Sequence, residues 1–124
     1  MSGEPIRVFL CDDVQSFRTL MRFALEEDPR IVVVGEAADG REGVEGVTRT
    51  QPDVVLLDLA MPGCDGLQAM PLMREGAPGA RIIALSGFAA DRMAAPLLAQ
   101  GATAYLEKGA DLDVIRDAVH AAAA

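Results

Sequence analysis

Val54-Val55-Leu56-Leu57-Asp58-Leu59-Ala60-Met61-Pro62-Gly63-Cys64-Asp65-Gly66 decides how this chain folds. Four consecutive branched aliphatic residues read as a strand buried on both faces, the environment of a central strand in a parallel sheet. The run stops at a carboxylate, and Pro62, Gly63 and Gly66 turn the chain at once. A charge at the tip of such a strand opens into the crevice at the strands' carboxyl ends, where open α/β sheets bind ligands.

Strands and helices alternate outward from this segment. Ile6–Cys11 reads as strand one and runs into Asp12-Asp13; Phe17, Leu20, Met21, Ala24 and Leu25 then recur at helical spacing, with Pro29 after them. Ile31–Val34 reads as strand two. Asp39 can cap a helix from about Arg41 to Thr50, although Gly43 and Gly46 each cost about 1 kcal/mol inside a helix relative to alanine. After Val54–Leu57, Asp65 caps a helix over about 66–74, and Pro71 within it predicts a kink or a late start. Ile82–Leu85 reads as strand four, closed by Ser86-Gly87; Asp91 caps a fourth helix made irregular by Pro96. Ala104–Glu107 reads as strand five and meets Lys108, and a last helix from about Leu112 turns Leu112, Ile115, Ala118 and Val119 inward.

Right-handed crossovers between such pairs predict one α/β domain over residues 1–124. The expected architecture is a five-stranded parallel sheet of order 2-1-3-4-5 between two helical layers, a flavodoxin-like three-layer sandwich. In that order strands one and three are neighbours. Asp12, Asp13 and Asp58 therefore converge, with Ser86 and Lys108 arriving from the next two strands.

Hydrophobic residues make up 51% of the 124 and aromatic ones 4%, with no Trp, so the core is aliphatic and large enough to need no staple. Cys11 and Cys64 lack CxxC spacing and read as reduced thiols. A formal net charge of −8 argues against direct nucleic-acid binding, which needs a basic face, and leaves cations and basic protein surfaces as partners. No apolar run approaches the roughly 18 residues of a membrane span, and Met1-Ser2-Gly3-Glu4-Pro5 lacks the basic start of a signal peptide. A cytoplasmic protein without a membrane partner is the expectation.

Three carboxylates brought this close require a cation. Hard oxygen donors at a wet crevice suit Mg²⁺, which keeps several waters and is held by one or two carboxylates plus a phosphate. Lys108, the only lysine, supplies a point charge and Ser86 a hydroxyl, the usual means of stabilising a transferring phosphoryl group. No Ser-His or Cys-His set is visible; a carboxylate can serve as a nucleophile that becomes an aspartyl phosphate, and Asp58 is best placed for that role. His120 on the last helix reads as solvated, and Met61, Met70, Met73 and Met93 as loop and core filling. A Mg²⁺-dependent phosphohydrolase would carry a second acid two residues past its nucleophile, where Ala60 stands here. A flavin-binding module is disfavoured because an acid-rich crevice repels phosphate without metal.

Asp12-Asp13, the stretch Asp58 to Gly66, Ser86-Gly87, and Tyr105-Leu106-Glu107-Lys108 together resemble the receiver domain of two-component response regulators, over essentially the whole chain. The resemblance implies that Asp58 accepts a phosphoryl group from a phosphohistidine of a sensor histidine kinase or phosphotransfer protein. It implies that Asp13, Asp58 and the backbone carbonyl of Ala60 ligate Mg²⁺ with Asp12 acting through water. Ser86 and Lys108 would hold phosphoryl oxygens, and Tyr105 would change rotamer as Ser86 moves. Such a domain catalyses its own phosphorylation and dephosphorylation and turns over no external substrate, and a homodimer on phosphorylation is one expected outcome. Lys108-Gly109-Ala110 is similar to receivers attached to LuxR/FixJ-type helix-turn-helix output domains, which makes a transcriptional regulator the first expectation and a stand-alone receiver the alternative. Pro71 and Pro96 depart from the usual helices three and four and bear on the output surface. Ala60 offers no side chain to orient an attacking water and Phe88 can shield the acyl phosphate, so slow self-dephosphorylation is expected.

Overall fold

A computed structural model describes residues 4–59, 61, 66–87 and 94–124. Its strands are β1 Ile6–Cys11, β2 Ile31–Ala37, β3 Val54–Asp58, β4 Arg81–Ser86 and β5 Ala104–Glu107, and its helices α1 Gln15–Glu26, α2 Gly40–Thr50, α3 Gly66–Gly76, α4 Ala94–Ala99 and α5 Leu112–Ala123. The strands form one five-stranded sheet in the order β2-β1-β3-β4-β5, with every adjacent pair parallel. This is the flavodoxin-like order that the alternation of strands and helices predicts.

Alternate side chains along the central strands divide the core between two layers. Val8, Leu10, Val54, Leu56, Ile83 and Leu85 pack on one face with Met21 and Leu25 of α1 and Ile115 and Val119 of α5. Phe9, Cys11, Val55, Leu57, Ile82 and Ala84 pack on the other with Val47 of α2 and Ala69, Met70 and Met73 of α3. Burial is complete along β3 and partial along the edge strand β5. The central strand is therefore fixed from both sides, and its last residue, Asp58, is fixed with it.

The glycines of α2 are explained by this packing. Asp39 caps the helix, its Oδ1 accepting from the Glu42 N–H at 2.9 Å. A Cβ at Gly43 would lie 2.6 Å from Cys11 Sγ, and one at Gly46 would lie 2.5 Å from Phe9 Cζ. The helix lies too close to β1 for any larger residue, so the propensity cost is exchanged for contact with the sheet.

Several sequence expectations need correction. β2 extends to Ala37 instead of ending at Val34, and the Ala37 carbonyl accepts from the Asp12 N–H at 3.0 Å. α3 starts at Gly66 and runs through Pro71 to Gly76, so Pro71 does not delay it; Pro71 and Leu72 are exposed while Ala69, Met70 and Met73 are buried, which leaves the missing amide on the wet side of the helix. His120 is half-buried, not solvated, with Nε2 2.6 Å from Asp28 Oδ2. Arg116 ties the same helix to α1 by donating to the Ala24 carbonyl at 3.1 Å. The caps assigned to Asp65 and Asp91 lie outside the described residues, as do Cys64 and Met93.

Candidate functional site

Strand register builds the site. Cys11 pairs with Leu57 across β1 and β3, Asp58 with Leu85 across β3 and β4, and Ser86 with Glu107 across β4 and β5. Asp12 thus emerges beside Asp58, and the residue after Glu107 emerges beside Ser86. Asp12, Asp58 and Ser86 are 3%, 2% and 3% exposed, the buried polar or charged residues among those described. Asp13 faces solvent. One carboxylate oxygen from each of Asp12, Asp13 and Asp58 lies within 4.8 Å of the other two.

Lys108 closes the group. Its Nζ lies 2.8 Å from Asp12 Oδ2 and 3.2 Å from Asp58 Oδ2 and donates a hydrogen bond to Asp58. Its backbone N–H donates to the Ser86 carbonyl at 2.7 Å. Burial of the ammonium acts to lower its pKa, but the contact with Asp12 and the charges of Asp12 and Asp58 outweigh burial and raise it above the ordinary lysine value. Lys108 is therefore a permanent cation at neutral pH. One ammonium among three carboxylates leaves an excess of negative charge, which a divalent cation would neutralise. The donors fit such an ion: all are hard oxygens, Asp13 opens to water, and the buried Asp12 Oδ2 meets the Lys108 ammonium at 2.8 Å.

The loop that carries the acids is itself held. Asp12 Oδ1 accepts from the Val14 N–H at 2.8 Å, and Arg18 donates to the Asp12 carbonyl at 2.6 Å. Arg18 also pairs at 3.1 Å with Glu36, which pairs with Arg22 at 2.7 Å. Sequence reasoning missed Arg18 and Glu36. The available signal was two arginines one turn apart on α1, aimed at an acid near the end of β2. It also read Phe17 only as a core residue, whereas Lys108 Nζ sits 4.8 Å from the centroid of its ring.

Tyr105 pairs with Ala84 and its half-buried ring packs on the α2–α3 layer. Its hydroxyl is buried without a hydrogen-bond partner among the described residues. The fold thus gathers Asp12, Asp13, Asp58 and Lys108 at one point, sets Ser86 at the adjoining strand end, and places Tyr105 further back along β5. Ala60, expected as a carbonyl ligand, and Phe88, expected as a shield, lie outside the described residues.

Residues 8–120 match the family described as the response regulator receiver domain. The chain is 40% identical over 117 residues to the transcriptional regulatory protein LiaR of Bacillus subtilis (strain 168), a match that covers 94% of this chain and 56% of LiaR. The chain thus spans about half the length of that relative. Among solved structures, the signal receiver domain of NarL from Mycobacterium tuberculosis superposes with a TM-score of 0.91 at 35% identity, covering 98% of each chain. A chain of the CheX-CheY-BeF3-Mg²⁺ complex from Borrelia burgdorferi superposes with a TM-score of 0.85 at 26% identity, covering 96% of this chain and 90% of that one.

Proposed function

This chain belongs to the response regulator receiver domain family, and from that premise we propose that Asp58 is the phosphoryl acceptor of a Mg²⁺-dependent switch. One observation carries the reading: two buried carboxylates, Asp12 and Asp58, share a single ammonium at the end of a parallel sheet. A purely structural ion pair would need one carboxylate. A surplus acid beside a fixed cation is an arrangement for receiving a charged group.

In the proposed reaction an Asp58 carboxylate oxygen attacks the phosphorus of a phosphohistidine in line. The new O–P bond forms as the P–N bond breaks, and the imidazole nitrogen keeps the electron pair and takes a proton from solvent. Asp12, Asp13, Asp58 and the Ala60 carbonyl would hold Mg²⁺, with Asp12 acting through water; when bound, the ion neutralises charge on the phosphoryl oxygens. The Borrelia complex, which contains Mg²⁺ and beryllofluoride, supports Mg²⁺ as the metal of the switch. Lys108 exchanges its Asp58 contact for a phosphoryl oxygen, Ser86 donates its hydroxyl to another, and Tyr105 follows the movement of Ser86.

The phosphoryl donor is a sensor histidine kinase or a phosphotransfer protein. Residues 1–124 form one receiver domain. Phosphorylation alters its surface, with self-association as one outcome, and the output is transcriptional: LiaR is a transcriptional regulatory protein nearly twice as long as this match, which supports a LuxR/FixJ-type regulator with a separate DNA-binding domain. The domain turns over no external substrate, since Ala60 occupies the position of a hydrolase's second acid. It works in the cytoplasm; among the described residues no helix is long and apolar enough to cross a membrane. Intact mass after incubation with acetyl phosphate and Mg²⁺ tests the reading. The wild type gains one phosphoryl group and Asp58→Asn gains none; an unmodified wild type or a labelled variant overturns it.

A further inference from the structure

We propose that Phe17 is a positioning residue, whose ring face holds the Lys108 ammonium at the mouth of the Asp12–Asp58 pair. Lys108 Nζ lies 4.8 Å from the ring centroid, inside the roughly 6 Å within which an aromatic face attracts a cation. The two residues come from opposite ends of the chain, and the geometry brings them together only through the sheet. Phe17 stands on the first turn of α1 and packs against the layer that holds Met21, Leu25 and Ile115. The ring is therefore anchored by the core. Lys108, by contrast, follows the edge strand β5 on a flexible four-carbon stem, with 22% of its side chain exposed.

A ring differs from a carboxylate in a way that suits this task. It attracts the ammonium through its quadrupole without neutralising it, and accepts none of its N–H donors in a conventional hydrogen bond. Those donors stay available, first for Asp12 and Asp58 and then for phosphoryl oxygens. The ring keeps the same hold when the acceptors change, so the cation is already in place as charge builds on the transferring group. The proposal rests on the reading of Lys108 as the phosphoryl partner.

Two measurements on the intact chain test it. Labelling of Asp58 by acetyl phosphate and Mg²⁺ should slow by about two- to fivefold in Phe17→Leu, the range expected for a partly exposed cation–ring contact, and return to the wild-type rate in Phe17→Tyr. Lys108 is the only lysine, so lysine carrying carbon-13 at Cε gives a single side-chain resonance. The ring current should displace its methylene protons upfield in the wild type and in Phe17→Tyr, and Phe17→Leu should remove that displacement. Tyrosine restores packing as well as the ring, so the resonance separates the two causes: a general packing defect would slow labelling in Phe17→Leu with the wild-type methylene protons undisplaced. An undisplaced wild-type resonance, or an unchanged rate in a folded Phe17→Leu, overturns the proposal. Should Phe17→Leu fail to fold, the wild-type resonance still decides. Lys108→Ala labelling as fast as wild type would instead overturn the role of Lys108, while the ring-current displacement would persist in the wild type.

Discussion

The two ends of the sheet carry aspartates in very different settings. At the amino ends of the strands Asp53 is exposed, its Oδ2 accepts from the Arg7 N–H at 2.9 Å, and its carbonyl accepts from the Arg81 N–H at 2.9 Å. Asp28, ahead of β2, accepts from the Arg30 N–H at 2.9 Å and meets His120. Carboxylates at that end find strand-entry amides and fasten the chain. At the carboxyl ends Asp12 and Asp58 are buried and both meet the Lys108 ammonium, while Asp12 also accepts from the Val14 N–H. The two acids there share one cation. In the proposed switch the same residue type is structural at one end and chemical at the other, and burial beside a shared cation makes the difference.

The sharpest break between the ends is nucleophilicity. Asp58→Asn should lose all phosphoryl labelling, while Asp53→Asn should label at the wild-type rate; intact mass reads both, and a loss at Asp53 would erase the distinction. The next effect concerns the cations. Lys108→Met should slow labelling roughly a hundredfold, the typical consequence of removing one fixed donor from a developing negative charge, whereas Arg7→Met at the opposite end should leave the rate unchanged. A stopped time course with acetyl phosphate measures the two side by side.

Ligand linkage gives a smaller and independent contrast. Mg²⁺ with beryllofluoride, at a hundredfold excess over its Kd, should stabilise the wild type by about 2.7 kcal/mol. Urea unfolding should find that increment intact in Asp53→Asn and absent in Asp58→Asn. An increment that survives in Asp58→Asn would place the phosphoryl mimic somewhere other than the carboxyl ends.

What the sequence makes legible follows the same division. The order of the strands, the site at their carboxyl ends and the convergence of Asp12, Asp13, Asp58 and Lys108 are written in local patterns: apolar runs that stop at charges. The edge strand β2 is harder to delimit because Gly35 and Glu36 break the apolar run that marks a central strand, so its end at Ala37 depends on pairing with β1. The glycines of α2 look unfavourable until Phe9 and Cys11 are seen beneath them. Phe17 against Lys108 and His120 against Asp28 are contacts between the two ends of the chain, the latter 92 residues apart. No local pattern encodes a contact of that kind.

Titration should separate the ends by sign. The His120 hydrogen bond, followed by those from Arg30, holds the Asp28 carboxyl well below the usual carboxylate range. A carboxyl depressed on folding contributes stability that is full above its unfolded value, near pH 4, and lost as pH falls toward its folded value. Lys108 is shifted upward on folding, so its contribution is full below the unfolded lysine value, near pH 10.4, and lost as pH rises through the folded one. Urea midpoints across pH should therefore show an acid limb that flattens in Asp28→Asn and an alkaline limb that flattens in Lys108→Met. An alkaline limb altered by Asp28→Asn would mean that the staple between α5 and the turn before β2 reaches the crevice. The fastening end of the sheet and its reactive end would then form one electrostatic unit.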